Sequence, residues 1–214
     1  MPRIFKAQNL PMKIKVCGMR NPDNLQELLD LPIDYVGLIF YKKSKRFVEK
    51  ELPKIDFQGK EKVGVFVNES LEYIVGKSQQ YDFITVQLHG SESPDFCEKL
   101  KEKNFKIIKA FSVDGEFDFS KTKKYEPFCD YFLFDTKGKL PGGNGYTFDW
   151  KVLENYQGET PFFLSGGIDS RHNNILKKLN IKQLHAIDLN SGFEIEPALK
   201  DILLLKKFIE DVRN

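Results

Sequence analysis

A cysteine and an aspartate stand at the ends of two apolar segments of this chain. Cys17 closes the run IKVC, and Asp135 closes YFLFD, which leads into the glycine-rich stretch TKGKLPGGNGYTFDW. A thiolate can take a proton from carbon while a carboxylic acid gives one to oxygen, if the site moves both pKa values toward neutrality. Taken singly, Cys17 reads as a small buried hydrophobe and Asp135 as a turn residue. The pair predicts acid–base chemistry if the fold brings the two together.

Eight short apolar runs alternate with segments that can form helices. The predicted strands are 14–17, 35–40, 62–67, 83–88, 105–111, 131–135, 161–165 and 184–189. The predicted helices are 21–30, 70–80, 93–103, 149–156, 169–179 and the amphipathic run 199–212. This alternation predicts an α/β fold, a single (β/α)8 barrel over residues 13–214 preceded by a short extension, residues 1–12. An open doubly wound sheet is the alternative, disfavoured by the strand count and by the lack of GxGxxG after the first strand.

In such a barrel the carboxyl ends of all strands open onto one mouth. The first and sixth strands are three steps apart in a ring of eight, so Cys17 and Asp135 are expected to face each other across that mouth. Glycine-containing loops follow the seventh and eighth strands, the usual phosphate site of this architecture. The predicted phosphate-binding residues are Gly166, Gly167, Asn190, Ser191 and Gly192.

Two further side chains are candidates for substrate binding. Arg46 lies in the basic loop YKKSKRF after the second strand, where a guanidinium could hold a carboxylate through two hydrogen bonds. His89 follows the fourth strand and is a candidate for orienting a ligand, although a structural hydrogen bond is the alternative. The loop glycines Gly142 and Gly143 would let the segment after Asp135 fold over a substrate, or form a plain flexible turn.

The composition excludes several classes of function. The 33 basic and 31 acidic residues give a net charge of +2 and are spread along the chain, so nucleic acid is not an expected partner. There is no apolar run of membrane-spanning length and no signal-like N-terminus, which predicts a cytoplasmic protein. The three cysteines include no CxxC pair, so a reduced protein is expected and no metal site is predicted.

Seven stretches, in this order, resemble one family. They are KVCGMRNPDN, YVGLIFYKKSKRFV, VGVFVNES, VQLHGSES, LFDTKGKLPGGNGYTFDW, FLSGGID and IDLNSGFE. From about residue 13 to its end, the chain resembles phosphoribosylanthranilate isomerase, a barrel enzyme of tryptophan biosynthesis.

The resemblance implies a specific reaction and specific roles. The family converts N-(5-phosphoribosyl)anthranilate into 1-(2-carboxyphenylamino)-1-deoxyribulose 5-phosphate, an Amadori rearrangement that needs no cofactor. By resemblance, Asp135 is the acid that opens the ribose ring and Cys17 is the base that takes the C2 proton. Arg46 would hold the anthranilate carboxylate and the two glycine loops the phosphate. The implied partner is this small-molecule substrate, with the chain a monomer or a homodimer.

The chain departs from the family pattern beside the phosphate site. Asn190 stands where the family tends to have serine, and Pro197-Ala198 stands where it has proline and glycine. After the seventh strand the segment Ile168–His172 lacks an expected proline and asparagine. These changes are expected to alter phosphate affinity more than activity, because the contacts there are expected to be backbone amides.

Three other functions remain open at this point. A histidine-pathway aminoaldose isomerase would use two aspartates, whereas the first strand here ends in Cys17. A catalytically silent phosphosugar-binding barrel would be free to lose Cys17 or Asp135. A cysteine nucleophile would need an activating histidine at a nearby strand end.

Overall fold

Eight parallel strands close into a barrel in chain order, with β1 paired to β8. The structure, a computed structural model, describes residues 12–136 and 150–213. The strands are β1 (Lys13–Cys17), β2 (Tyr35–Ile39), β3 (Glu61–Phe66), β4 (Thr85–Leu88), β5 (Lys106–Val113), β6 (Tyr131–Thr136), β7 (Phe162–Ser165) and β8 (Leu184–Leu189). The predicted (β/α)8 barrel is confirmed. The division into an extension, 1–12, and a barrel, 13–214, stays a prediction, because residues 1–11 lie outside the described residues.

Helices pack around the barrel, and the first three begin at capping side chains. They are α1 (Pro22–Leu29), α2 (Leu71–Tyr81), α3 (Pro94–Glu102), α4 (Asn173–Leu176) and α5 (Ile202–Arg213). The side chains of Asn21, Ser70 and Ser93 each accept a hydrogen bond from a first-turn backbone N–H of α1, α2 and α3. α1 and α3 also begin with a proline, which fits the first turn because its missing N–H would have no partner there.

Two predicted helices were wrong in kind or length. The segment predicted at 149–156 forms a 3-10 helix, Trp150–Asn155, over its described part. The helix predicted at 169–179 is a 3-10 turn, Ser170–His172, followed by the four residues of α4. Both segments are too short to gain much from helix propagation, and α4 begins with two asparagines, which compete for backbone hydrogen bonds.

Three small elements were not predicted. A 3-10 helix, Phe119–Tyr125, connects β5 to β6. After β8, a 3-10 turn, Ser191–Phe193, leads into an antiparallel hairpin of β9 (Glu194–Glu196) and β10 (Leu199–Lys200). Ala198 precedes β10 with a φ of 71°, a left-handed conformation that favours glycine. This is where the chain departs from the family's proline–glycine pair.

The hydrophobic core has two parts. The larger lies between the barrel and the outer helices, and a smaller cluster fills the barrel interior. The interior cluster consists of Cys17, Tyr35, Ile39, Val63, Val65, Ile108, Ala110, Leu133, Phe163 and Ala186. Within the described residues, no helix has the length and apolarity needed to cross a membrane.

An aromatic layer closes the amino-terminal end of the barrel. The register between β7 and β8 shifts so that Phe162 pairs with Leu184 and Phe163 with Ala186, which leaves His185 as an extra residue. The Nε2 atom of His185 lies 2.8 Å from the Tyr35 hydroxyl, and its ring centre lies 4.5 Å from that of Tyr131. The interior is thus a filled core whose open end is the carboxyl-terminal mouth.

Candidate active site

A cavity of about 220 Å³ opens at the carboxyl-terminal ends of the strands. Its walls come from the last or next-to-last residues of seven strands and from the loops after β4, β7 and β8. The lining residues are Cys17, Ile39, Val65, Gln87, His89, Asp135, Ser165, Gly166, Gly167, Ile168, Asp188, Asn190, Ser191 and Gly192. The fold therefore brings together eight of the predicted site residues: Cys17, Asp135, His89, Gly166, Gly167, Asn190, Ser191 and Gly192.

Cys17 is the last residue of β1 and is 3% exposed. Gly37 on the neighbouring strand makes room for the thiol, because a Cβ atom there would lie 2.6 Å from the Cys17 Sγ. Burial raises the pKa of the Cys17 thiol, while the positive charges of Lys15 and Lys200 oppose that rise. The resting side chain is thus a thiol whose ionised form depends on nearby cations.

Asp135 lies near the end of β6 and its carboxyl group reaches the cavity. Its Oδ2 lies 3.4 Å from His89 Nε2, and His89 Nδ1 lies 3.0 Å from Gln87 Nε2. The backbone N–H of His89 donates to the Phe66 carbonyl at 2.8 Å, which fixes the start of this loop. Among the described residues, the buried Gln87 Oε1 has no hydrogen-bond partner, and Gln87 lines the cavity.

The loops after β7 and β8 present backbone at the other side of the cavity. Gly166 has a φ of 101°, and a Cβ atom there would lie 2.1 Å from the Thr136 carbonyl oxygen. A Cβ atom on Gly192 would lie 2.2 Å from the Ile168 carbonyl oxygen. Glycine is needed at both positions because the two loops pack against neighbouring backbone. Such loops let backbone N–H groups come close to an anion.

The base of the segment that follows Asp135 is fixed on both sides. Thr136 Oγ1 donates to the Ser165 carbonyl at 2.9 Å and accepts from Trp150 Nε1 at 3.3 Å. Residues 137–149 lie outside the described residues, and with them the predicted loop glycines Gly142 and Gly143.

Arg46 is not among the cavity-lining residues. Its Nε donates to Glu194 Oε1 at 2.8 Å and its Nη2 also bonds Glu194, in the hairpin after β8. Glu194 further accepts from Lys200 Nζ at 2.7 Å, and Lys200 donates to Asn190 Oδ1 at 2.8 Å. Burial alone would raise the pKa of Glu194, but hydrogen bonds from Arg46 and Lys200 lower it to about 2. Burial lowers the pKa of Lys200, and Glu194 opposes that shift.

A second buried ion pair lies directly beneath the thiol. Lys15 Nζ donates to Asp188 Oδ1 at 2.8 Å, and Asp188 Oδ2 accepts from Ser165 Oγ at 3.3 Å. Sequence reasoning missed Lys15, Asp188 and Ser165. The signal was present in the alternation of the strand, because Lys15 lies two residues before Cys17 and therefore shares its face.

The segment after the seventh strand has a structural role. Asp169 caps the 3-10 turn by accepting from the Arg171 N–H at 2.9 Å, and the Asp169 N–H donates to His172 Nδ1 at 3.0 Å. His172 is buried against the Trp150 ring, whereas Arg171 is exposed and pairs with Asp169. The capping interactions of Asp169 replace the expected proline and asparagine at this helix start.

The closed barrel, with a thiol and a carboxyl group on one cavity and glycine loops after β7 and β8, defines an enzyme of the acid–base (β/α)8-barrel class. Within the described residues, no group of three or more histidine, cysteine or acidic side chains could hold a metal ion.

Comparison with known proteins identifies the family. The sequence model of N-(5'phosphoribosyl)anthranilate (PRA) isomerase matches residues 14–211. The chain is 48% identical to the N-(5'-phosphoribosyl)anthranilate isomerase of Parabacteroides distasonis, over 94% of this chain and 93% of that one. It is 44% identical to the isomerase of that name from Phocaeicola vulgatus, over 95% and 98%. The chain belongs to this isomerase family, which confirms the resemblance and the enzyme class.

Solved structures agree with the family assignment. Phosphoribosyl anthranilate isomerase from Thermotoga maritima matches with a TM-score of 0.79 and 33% identity, over 94% of this chain and 98% of that one. A phosphoribosyl anthranilate isomerase in complex with reduced 1-(o-carboxyphenylamino)-1-deoxyribulose 5-phosphate matches with a TM-score of 0.77 and 30% identity, over the same shares.

Proposed function

We propose that this cavity performs the Amadori rearrangement of N-(5-phosphoribosyl)anthranilate to 1-(2-carboxyphenylamino)-1-deoxyribulose 5-phosphate, with Asp135 as general acid and Cys17 as general base. The observation that carries the proposal is the joint placement of the two side chains. Both line one cavity, three strands apart in the ring, and the glycine loops after β7 and β8 line it with them. The reaction belongs to tryptophan biosynthesis.

The chemistry needs two proton transfers and their return. Asp135 gives a proton to the ribose ring oxygen as the C1–O bond breaks, which leaves a protonated Schiff base. The Cys17 thiolate then removes the C2 proton, and its electron pair forms the enolamine. Conversion of the enolamine to the ketone releases the hydroxyl proton and adds one at C1, so the reaction has no net proton change. The two side chains can then return to their starting states.

The substrate's two anionic groups would lie at separate parts of the site. The phosphate would lie on backbone N–H groups of Gly166, Gly167 and Gly192, where positive-φ glycines and tight loop packing open the backbone to a ligand. The anthranilate carboxylate would meet Arg46 through Nη1, because Nε and Nη2 are taken by Glu194.

The Gln87–His89–Asp135 chain would orient the acid. A donor at His89 Nε2 would fix one carboxyl oxygen of Asp135 and leave the other to face the ring oxygen. Gln87 Oε1, which has no hydrogen-bond partner among the described residues, would accept from a substrate hydroxyl group. These are the substrate-binding roles that we propose for Gln87 on β4 and for His89 in the loop after it.

Several finer statements are also proposals. The partner class is a small molecule, and one family member is solved with such a ligand. We further propose a cytoplasmic location, a monomer or homodimer, and the closure of the segment carrying Gly142 and Gly143 over the substrate. Light scattering of the purified chain would decide the oligomeric state.

The test is the loss of substrate fluorescence on conversion, measured with wild type, Cys17→Ser and Asp135→Asn at equal folded concentration and across pH. Each variant is expected to lower kcat about 100- to 10,000-fold, because each loses one proton-transfer group. Cys97→Ser is the matched control, since Cys97 is a buried free cysteine on α3 outside the cavity. A wild type that is folded but inactive would overturn the proposal and favour the silent phosphosugar-binding barrel.

A further inference from the structure

The buried ion pair beneath Cys17 differs from an ordinary structural pair. Lys15 is completely buried inside the barrel, two residues before Cys17 on the same face of β1. Among the described residues, the hydrogen-bond acceptor of its Nζ atom is Asp188 Oδ1. It also interacts with the Cys17 side chain. One buried ammonium therefore pairs with a carboxylate and also acts electrostatically on the thiol.

A second buried lysine in the same molecule shows the contrast. Lys109 Nζ, on β5, donates to the carbonyl oxygens of Leu88 and Gly90 and to Glu92 Oε2, at 3.2, 2.7 and 2.9 Å. All three of its N–H groups have oxygen acceptors, as a buried ammonium requires. Lys15 has fewer oxygen acceptors and a thiol beside it, so its bonding is completed if the thiol becomes a thiolate.

The charges around Cys17 also balance when it is ionised. Within the described part of the chain, three cations act on it, namely Lys15 from its own strand, Lys200 from β10 and Arg46 from the loop after β2. Two carboxylates, Asp188 on β8 and Glu194 on β9, pair with those cations. These three cations and two carboxylates have a net charge of +1, which the negative charge of a Cys17 thiolate would neutralise. Buried charges are costly unless they are compensated in this way.

We propose that Lys15 is a positioning residue that stabilises the thiolate form of Cys17 when Cys17 ionises for proton abstraction. The inference rests on the proposed role of Cys17 as base and adds the group that makes that role possible. Lys15 does not line the cavity, so it acts through Cys17 and not on the substrate. The Lys15–Asp188 pair thereby becomes part of the reaction instead of a purely structural bond.

Burial and the neighbouring opposite charges have opposing effects on the pKa values of Cys17 and Lys15. Burial is the largest influence on Cys17 and raises the pKa of the thiol, and Lys15 gives the largest opposing contribution. Burial alone would lower the pKa of Lys15, but Asp188 and Cys17 raise it above its ordinary value. Lys15 is therefore charged at the pH at which Cys17 must ionise.

The test is the pH dependence of Cys17 alkylation by iodoacetamide, which requires no turnover. Lys15→Met is compared with wild type, and Cys17→Ser gives the background from Cys97 and Cys129. The pH of half-maximal alkylation is expected to rise by about 1 to 3 units in Lys15→Met, since an opposite charge near the thiolate is lost. The acidic limb of kcat/KM is expected to move to higher pH with it.

A double variant guards against a folding defect, because Lys15→Met leaves the buried Asp188 carboxylate without its partner. Lys15→Met/Asp188→Asn removes both charges, and its alkylation midpoint is expected to rise by a smaller amount since Asp188 opposes thiolate formation. An unchanged midpoint in either folded variant overturns the proposal. A folded wild type whose alkylation midpoint lies below those of both variants, but which has no isomerase activity, would instead overturn the proposed function.

Discussion

Arg46 is held by a carboxylate from a distant part of the chain. Its partner, Glu194, is 148 residues further along, in the hairpin that follows β8. Lys200 links the same carboxylate to Asn190, a residue of the cavity wall. The expected carboxylate-binding group and the expected phosphate-binding loop are thus joined through one buried acid, which would fix the distance between the two ends of the substrate.

Replacing Arg46 tests this arrangement. We expect Arg46→Lys to lower kcat/KM about 10- to 100-fold, mostly by raising KM, because one ammonium group cannot hold Glu194 and a substrate carboxylate in forked geometry. Steady-state kinetics with the phosphoribosylanthranilate substrate measure it. Arg213→Lys is the control, since Arg213 also pairs with an aspartate, Asp34, at 2.9 Å. An unchanged KM would show that Arg46 serves only Glu194.

The site residues that follow apolar strands were predictable from the sequence. The ion pairs between residues far apart in the sequence were not. Cys17, Asp135 and the glycines after β7 and β8 follow apolar runs, so the barrel rule placed them at one mouth. Glu194 lies in a hairpin without a periodic pattern, Lys200 fell in the predicted helix 199–212 but lies in β10, and the pairing of Glu194 with Arg46 and Lys200 depends on how the ring closes. Asp188 was hidden inside an apolar strand that reads as core.

The loop after β7 is the element most dependent on its backbone conformation. Gly166 combines a φ of 101° with contact to Thr136 backbone atoms. We expect Gly166→Ala to destabilise the fold by about 2 to 4 kcal/mol, through backbone strain and steric overlap, and to weaken phosphate binding. Urea unfolding and KM measure the two effects.

A glycine in open surroundings is the matched control for that prediction. Gly76 lies inside α2, and a Cβ atom there meets nothing within 4 Å. Gly76→Ala is expected to stabilise the protein by about 0.5 to 1 kcal/mol, because alanine loses less backbone entropy in a helix. A neutral result for Gly166→Ala, with Gly76→Ala behaving as expected, would contradict the strained-loop interpretation.

The elements themselves were predictable to different degrees. All eight barrel strands were placed from apolar runs, and the first three helices were placed within a few residues of their observed bounds. The short connections were predicted poorly, because 3-10 turns and the β9–β10 hairpin are set by tertiary contacts. Ala198 illustrates this, since its left-handed conformation comes with a hydrogen bond from its backbone N–H to Glu194 Oε1 at 3.1 Å.

At the scale of the whole molecule, the barrel has a polar site at one end and an aromatic layer at the other. His185 lies in that layer, and burial is the main reason that its pKa is lowered to about 4. The folded state therefore favours the neutral imidazole, whereas the unfolded chain takes up a proton below about pH 6.5.

This layer predicts a pH dependence of stability. The contribution of neutral His185 is fully present above its unfolded pKa of 6.5 and is lost as the pH falls toward about 4. We expect the stability difference between wild type and His185→Gln to fall by about 1 kcal/mol over this range, after discounting for solvent screening of a half-buried group. Urea unfolding at several pH values measures it. A difference independent of pH would contradict the prediction.

Trp150 is the chain's single tryptophan, and it bonds Thr136, whose backbone contacts Gly166 beside the expected phosphate site. All indole emission therefore comes from one buried side chain next to Thr136. An anthranilate ring absorbs light in the range where indole emits, so a bound ligand that carries this ring would accept energy from Trp150. Binding of such a ligand at the barrel mouth is therefore measurable as energy transfer from Trp150. This readout needs no added label and works in variants without catalytic activity.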